Sequence, residues 1–165
     1  MKICIKNCTL ISMDEKRKEQ EKNIDILIED NKIKRIDKDI KTDADVKIID
    51  ATNRVVMPGL INTHAHVPMS IFRETLDGYN LQDWLSKKIW PMEDKLTNED
   101  IYYASYLTYL EMIKTGTTTI NDMYFMTEDI IKAAKEAGVR LQTTRTLTGT
   151  ASNESDLKRI EEEKY

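Results

Sequence analysis

The sequence predicts an α/β protein in two parts: a small antiparallel sheet or sandwich over residues 1–57, and a helix-covered parallel sheet over residues 58–165. Short β-type runs fill the first part, whereas strand-like and helix-like segments alternate in the second. Alternation of this kind is typical of a parallel sheet in which a helix joins each strand to the next. We therefore expect the architecture to change near residue 57.

The first part is predicted to contain five short strands. They cover residues 2–6, 9–13, 23–29, 32–37 and 46–50. Ile24, Ile26 and Ile28 occupy every second position, which is the pattern of a half-buried strand. Asp30 and Asn31 then form a tight turn into the next run, so the sequence predicts a hairpin there.

Two other features of the first part are interpreted as structural. Cys4 and Cys8 share one predicted strand face but lie about 13 Å apart, which is too far for a disulfide because its Cα atoms lie within about 7 Å. We expect them to be reduced packing residues. The charged run DEKRKEQEK at residues 14–22 is expected to be a solvated loop.

The second part is predicted to begin with a buried strand over residues 60–63, after Pro58 and Gly59. The later elements are, in order, a helix over 81–89, a helix from Thr97 to Gly116, a strand over 117–121, a helix from Thr127 to Gly138, a strand over 139–145 and a helix over 154–163. Thr97 and Asp100 form an acidic capping box, and glycines end two of the helices. This order favours a parallel sheet.

The composition argues against two classes of partner. The chain has 25 basic and 29 acidic residues, whereas nucleic-acid binders normally carry a basic surface. The longest stretch without Asp, Glu, Lys or Arg, residues 55–72, contains two His, two Pro, a Gly and an Asn, so it is not a spanning helix. No secretory signal is recognisable at the N-terminus. We expect a cytoplasmic protein without nucleic-acid or membrane partners.

The chemical signal is the pair His64 and His66, the only histidines of the chain. Positions i and i+2 of a strand project to the same side, so both imidazoles can converge on one ion. Imidazole suits zinc, and a catalytic zinc takes three protein ligands and leaves one position for water. Such a pair can also arise by chance or serve packing. Its place at a strand end in a β/α series favours a site.

The segment VMPGLINTHAH, which contains both histidines, resembles the first-strand metal motif of the amidohydrolase superfamily. The segments MSIFRETLD, LQDWLSKKIWPMED and EMIKTGTTTINDMYF resemble the branch that holds the methylthioadenosine/S-adenosylhomocysteine deaminases and their chlorohydrolase relatives. The similarity extends to about Arg145. It departs at Asp77-Gly78, where that branch commonly has paired aspartates.

The resemblance implies a TIM-like (β/α)8 barrel that carries a β-sandwich made from both chain ends. Residues 1–57 would be the N-terminal share of the sandwich, and residues 58–165 the first three βα units of a truncated barrel. A complete barrel takes about 250 residues, far more than follow Leu60 here. The remaining metal ligands and the proton-transferring residues, and thus the catalytic groups, are expected downstream of Tyr165.

The resemblance also implies roles for four residues. His64 and His66 match two ligands of one Zn²⁺ or other divalent transition-metal ion. Glu93 matches a carboxylate that grips the ribose hydroxyls in nucleoside-deaminating members, and Arg145 an arginine near the carboxylate tail of the substrate. Trp84 and Trp90 are interpreted as apolar walls near the mouth of the site.

Structural alternatives stay open for three of these residues. Glu93 could be a carboxylate in the first turn of a helix, where the dipole favours negative charge. Arg145 could pair with a nearby acid, and Trp84 could pack in the core.

The implied activity of the full-length enzyme is metal-dependent hydrolytic deamination of adenine nucleosides such as S-adenosylhomocysteine, 5′-methylthioadenosine or adenosine. One alternative is an amidohydrolase that removes an amine or chloride from a guanine- or triazine-type heterocycle. Another is an N-terminal fragment that is inactive as given. The small-molecule nucleoside is the expected partner, and a homo-oligomer is compatible with the sequence.

Overall fold

The computed structural model describes residues 1–74 and 78–145. The chain divides into two compact units, Met1–Pro58 and Gly59–Tyr165. The predicted helix over residues 154–163 and Asp77 of the Asp77-Gly78 pair lie outside the described residues. Within the described residues, no helix is both long enough and apolar enough to cross a membrane.

Unit Met1–Pro58 forms a five-stranded sheet in the order β3-β2-β1-β4, with β5 also paired to β1. The strands are β1 (Lys2–Leu10), β2 (Glu21–Glu29), β3 (Lys32–Asp37), β4 (Lys47–Asp50) and β5 (Val55–Val56). β2 and β3 are antiparallel, which confirms the predicted hairpin. β4 and β5 run parallel to β1, so the sheet is mixed rather than antiparallel. The reason is that residues 38–46 cross the sheet instead of turning back beside β3.

β1 is one continuous strand rather than the two runs predicted, and a bulge interrupts its register near Asn7. Asn7 has a φ of 60°, a left-handed conformation that asparagine tolerates. Cys4 pairs with Leu27 and Cys8 with Ile24; these partners are three residues apart in β2, so they face opposite sides. The prediction that the cysteines share a face is therefore wrong. Both are buried, and burial raises the pKa of each thiol.

The buried carboxylate of Asp25 in β2 forms hydrogen bonds with β1 and with the segment that follows β3. Asp25 accepts hydrogen bonds from Lys6 Nζ at 2.7 Å and from the amides of Asn7 and Ile40, both at 2.9 Å. Burial alone would raise the pKa of Asp25, but these donors outweigh it and hold that pKa below its ordinary value. The apolar core of this unit comprises Cys8, Leu10, Ile24, Ile26 and Ala51.

Unit Gly59–Tyr165 contains a three-stranded parallel sheet in the order β6-β7-β8. Its strands are β6 (Leu60–Ala65), β7 (Thr117–Tyr124) and β8 (Arg140–Arg145). Its helical elements are a 3₁₀ helix (Val67–Phe72), α1 (Leu81–Trp84), a π-helical segment (Leu85–Ile89), α2 (Trp90–Glu93), α3 (Asn98–Lys114) and α4 (Thr127–Ala137). Helices alternate with parallel strands, which confirms the predicted α/β character.

Local signals set the boundaries of this unit. The capping box of Thr97 and Asp100 is present at the start of α3, and Gly138 ends α4 in a left-handed conformation, both as predicted. A side chain at Gly59 would collide with Thr118, so glycine lets the chain enter β6 close against β7. The core between sheet and helices comprises Val67, Ile101, Tyr109, Ile120, Tyr124, Ile130, Ala133 and Ala134.

The helix predicted over residues 81–89 continues to Glu93. The π-helical segment joins α1 to α2 without a break, because Ile89 keeps helical dihedral angles and the Trp90 amide donates to the Leu85 carbonyl. Pro91 ordinarily ends a helix, since its ring crowds the preceding turn and it lacks an N–H. The wider π turn directly before it accommodates the proline. Glu93 consequently lies at the C-terminal end of the whole helix.

Candidate functional site

The carboxyl ends of β6, β7 and β8 bring the candidate residues to one edge of the parallel sheet. His64 lies in β6 and His66 follows it, Tyr124 ends β7, and Arg145 ends β8. Tyr124 and Arg145 are register partners in adjacent strands. Parallel α/β sheets place their sites at this edge, because the loops that follow the strands converge there.

The two histidines converge as their spacing predicts. Their Nε2 atoms are 3.3 Å apart, and the rings are nearly perpendicular, with 4.9 Å between centroids. Two zinc–nitrogen bonds of about 2.05 Å at a tetrahedral angle separate the nitrogens by about 3.3 Å. The pair therefore fits two positions of a tetrahedral metal site.

A main-chain carbonyl fixes the tautomer of His66. Its Nδ1 lies 2.7 Å from the Met123 carbonyl oxygen, and a carbonyl can only accept, so Nδ1 carries the proton. The lone pair is then on Nε2, the atom that faces His64. Metal-binding histidines usually donate their other ring N–H in this way, which orients the ring.

Buried side chains form hydrogen bonds with both the amide and the carbonyl of Val67, the residue that follows His66. The Val67 amide donates to Asp122 Oδ1 at 2.8 Å, and the Val67 carbonyl accepts from the Thr108 hydroxyl at 3.1 Å. Asp122 comes from β7 and Thr108 from α3. The backbone at His66 is consequently anchored to both the sheet and its covering helix.

Asp122 was not found by sequence reasoning. Asp122 is 1 % exposed, and burial raises its pKa, although the hydrogen bond from the Val67 amide acts in the opposite direction. Its second oxygen, Oδ2, has no hydrogen-bond partner among the described residues. The available signal was periodicity: Ile120, Asp122 and Tyr124 alternate as the buried positions of β7, and a carboxylate in such a series requires a reason.

Glu93 lies in the same group through a second residue of β7. The Tyr124 hydroxyl donates to Glu93 Oε1 at 2.6 Å. Burial raises the pKa of Glu93, while the Tyr124 hydrogen bond partly opposes that rise. The interpretation of Glu93 as a helix-start carboxylate stays open, because Glu93 lies in the first turn of α2 as well as at the end of the continuous helix that α2 completes.

The remaining candidates are Arg145 and the two tryptophans. Arg145 is exposed at the end of β8, beside Tyr124 in the register. Trp84 is half-buried in α1, whereas Trp90 is 47 % exposed in α2. No ring contact joins either tryptophan to the histidines within the described part of the chain.

The described residues bring together two candidate metal ligands, His64 and His66. In residues 1–74 and 78–145, no group of three or more His, Cys, Asp or Glu side chains could hold a metal ion. The histidine pair therefore fits two positions of a metal site, and the further ligands have to come from residues outside the described part of the chain.

Comparison with families and sequences gives consistent matches. A family model described as "Amidohydrolase family" matches residues 55–164. A 5-methylthioadenosine/S-adenosylhomocysteine deaminase of Carboxydothermus hydrogenoformans is 45% identical over 145 residues, which are 87% of this chain and 33% of that protein. A 5'-deoxyadenosine deaminase of Methanocaldococcus jannaschii is 51% identical over 120 residues, 72% of this chain and 29% of that protein. The chain thus spans about a third of the length of these curated relatives.

Solved structures resemble the chain as well. An atrazine chlorohydrolase of Arthrobacter aurescens, complexed with zinc, matches with a TM-score of 0.79 and 26% identity over 91% of this chain and 37% of that one. An adenosine deaminase of Xanthomonas campestris, with bound zinc, matches with a TM-score of 0.69 and 26% identity over 84% of this chain and 32% of that one.

Proposed function

The chain belongs to the amidohydrolase family, and from this premise we propose that its full-length protein is a metal-dependent deaminase of adenine nucleosides. By full-length protein we mean one that continues past Tyr165 over the remaining length of these relatives. The observation that carries the proposal is the grouping of Glu93 with the histidine pair at one edge of the sheet. A metal site and an acceptor for sugar hydroxyls then lie side by side.

His64 and His66 hold one zinc or similar divalent ion through their Nε2 atoms. The separation of these atoms and the Nδ1 proton of His66 support this assignment, as does the zinc present in the two solved structures. When bound, such an ion supplies the Lewis acidity that makes water nucleophilic near neutral pH. The reaction is hydrolysis of the exocyclic C–N bond of adenine, in which water is consumed and ammonia leaves. Proton transfer is assigned to residues downstream of Tyr165.

Glu93 orients the nucleoside by accepting hydrogen bonds from its ribose hydroxyls. The carboxylate is half-buried, so few water molecules compete for it, and Tyr124 occupies one of its oxygens. Arg145 lies at the end of the neighbouring strand, where it binds the carboxylate-bearing tail of a substrate such as S-adenosylhomocysteine. Trp84 and Trp90 form apolar walls of the entrance. These residues supply orientation rather than chemistry.

The finer architecture follows from the same premise. Residues 1–57 form the N-terminal share of a composite β-sandwich, and residues 58–165 carry the first three βα units of a (β/α)8 barrel. The three parallel strands and their covering helices support this assignment, as do the matches to solved structures over most of the chain.

A triazine- or guanine-type substrate is the second candidate, since one matching structure is an atrazine chlorohydrolase. Glu93 discriminates between the two, because a carboxylate placed for ribose hydroxyls has no partner on a bare heterocycle.

The test uses the purified full-length protein. We expect it to retain a divalent metal and to release ammonia from S-adenosylhomocysteine, 5′-methylthioadenosine or 5′-deoxyadenosine, but not from adenine. His64→Ala/His66→Ala should lose both the metal and the activity. Thr63→Ala is the matched control, because Thr63 is exposed in the same strand and, among the described residues, the side-chain hydrogen bond at this position uses its carbonyl, which accepts from Asn121. Equal metal content in wild type and the double variant would contradict the metal assignment, and atrazine turnover without nucleoside turnover would favour the second candidate.

A further inference from the structure

The inference concerns Tyr124 and rests on the proposed function. We propose that Tyr124 is a positioning residue that fixes the Glu93 carboxylate for the ribose diol, and thereby contributes to selecting nucleosides over bare bases. Nothing in the sequence motifs indicated this tyrosine. The proposal depends on the hydrogen bond between its hydroxyl and Glu93 Oε1.

The Tyr124 hydroxyl acts from a rigid position. Tyr124 is 3 % exposed, belongs to the core of its unit and stacks on Phe125 with ring centroids 4.1 Å apart. The glutamate side chain, in contrast, has three rotatable bonds and approaches from the end of a separate helix. A short O–H···O bond to a carboxylate is among the stronger hydrogen bonds in proteins. The buried ring therefore sets the direction of the carboxylate.

The chemistry of a diol requires a fixed carboxylate. An ionised carboxylate offers about four acceptor positions on its two oxygens, and Tyr124 uses one of those on Oε1. The other positions are left for donors outside this group, because within the described residues the Glu93 carboxylate accepts a side-chain hydrogen bond from Tyr124 alone. Two adjacent ribose hydroxyls need two acceptors at a defined orientation, so a freely rotating carboxylate would bind them less well.

β7 also sets the distance between the metal ligand His66 and the diol acceptor Glu93. The carbonyl of Met123 holds His66, and the side chain of the next residue, Tyr124, holds Glu93. One peptide unit therefore links the metal ligand to the diol acceptor. Substrate position relative to the metal depends on this spacing.

The test compares Tyr124→Phe with wild type in the metal-loaded full-length protein. Phenylalanine keeps the packed ring and removes only the donor, so metal content and thermal stability should change little. We expect KM for S-adenosylhomocysteine to rise about tenfold, with kcat changed less than threefold. For the 2′-deoxy analogue, which has lost one of the two donors, the rise should be smaller. Tyr109→Phe is the matched control, since Tyr109 is equally buried in the same core and its hydroxyl has no partner among the described residues.

A double-mutant cycle separates positioning from packing. If Tyr124 acts through Glu93, then Tyr124→Phe should have no further effect on KM in a Glu93→Ala background. A purely structural role predicts equal losses in both backgrounds, or a loss shared by Tyr109→Phe, and either result would overturn the proposal. So would wild-type KM in Tyr124→Phe. If the wild-type protein deaminates no nucleoside, the proposed function itself fails, and that outcome is visible before any variant is measured.

Discussion

Glu93 receives opposing influences from its surroundings. Burial disfavours its charged form, whereas the hydrogen bond from the Tyr124 hydroxyl favours it. A half-buried acid at the C-terminal end of a helix is costly to fold. Such a cost is typical of a residue that is kept for binding rather than for stability.

The first prediction is that Glu93→Ala lowers kcat/KM for S-adenosylhomocysteine by about ten- to a hundredfold or more. Loss of a hydrogen bond to a charged group costs about 1.5–3 kcal/mol, and here two hydroxyls lose their acceptor. The measurement is steady-state ammonia release by the full-length protein. Metal content should stay unchanged, because Glu93 is not proposed as a ligand.

The control for that prediction is Asp94→Asn, the exposed carboxylate next in the chain. It should leave kcat/KM near the wild-type value. If Glu93→Ala and Asp94→Asn behave alike, Glu93 has no contact with the substrate, and the choice of nucleosides over bare heterocycles loses its main local support.

Residue-level prediction from sequence succeeded where the information was local. The two-residue spacing of His64 and His66 on a strand is enough to expect convergent imidazoles, and the Nε2 atoms do converge. Asp122 and Tyr124 were missed because their partners, Val67 and Glu93, are 55 and 31 residues away. The register of β6 beside β7 brings Val67 to Asp122, and the packing of α2 brings Glu93 to Tyr124.

At the scale of elements, caps and turns were predictable, but irregularities inside elements were not. The start of α3 follows from Thr97 and Asp100 alone. The bulge near Asn7 instead serves the Asp25 carboxylate, which accepts the Asn7 amide, and the π-helical segment extends a helix past Pro91. Both depend on contacts outside the local window, so hydrophobic periodicity could not reveal them.

The second prediction concerns the pairing of Asp25 with Lys6 in the mixed sheet. Asp25→Asn should destabilise the β1–β2 pairing by about 3 kcal/mol at neutral pH, because Lys6 loses the opposite charge beside it and keeps the Ile40 carbonyl as its acceptor. Hydrogen exchange at the amides of Asn7 and Ile40, measured in the full-length protein, checks this directly. Asp37→Asn is the control, since the Arg35–Asp37 pair is exposed on β3 and should matter little.

The same carboxylate gives the third prediction, which concerns pH. The pKa of Asp25 is lower in the folded state than in the unfolded chain. Its contribution to stability is therefore fully present above the ordinary pKa of aspartate, about 3.9, and is lost as the pH falls through the lowered value. Exchange protection at Asn7 and Ile40 should decline in that acid range in wild type and stay flat in Asp25→Asn. Parallel declines in both proteins would assign the acid sensitivity to other carboxylates.

At the scale of the whole molecule, the described residues leave apolar surface uncovered. Tyr103, Leu107, Leu110 and Ile113 form a stripe along one face of α3, each at least 40 % exposed. β6 pairs with β7 on one side, and in the described residues its other edge has no strand beside it. Exposed apolar stripes and free strand edges favour association.

The fourth prediction is that the 165-residue chain, expressed alone, releases no ammonia from nucleosides and self-associates. Its described residues bring together two candidate metal ligands, whereas a catalytic site needs three, and its described apolar surfaces are uncovered. Analytical ultracentrifugation and calorimetry check the association and the folding. A monomer with one cooperative thermal transition would contradict the prediction, as would deamination by the chain on its own.

The hydrogen bond from His66 to the Met123 carbonyl affects both substitution scans of this site and its transfer to another protein. Every amino acid at position 123 offers the same carbonyl, so a substitution scan would score Met123, whose side chain is 40 % exposed, as dispensable. The proton on His66 is nevertheless placed by that atom. Grafting the two histidines onto another scaffold would therefore reproduce the residues but not the tautomer, unless the path of the β7 main chain were copied with them.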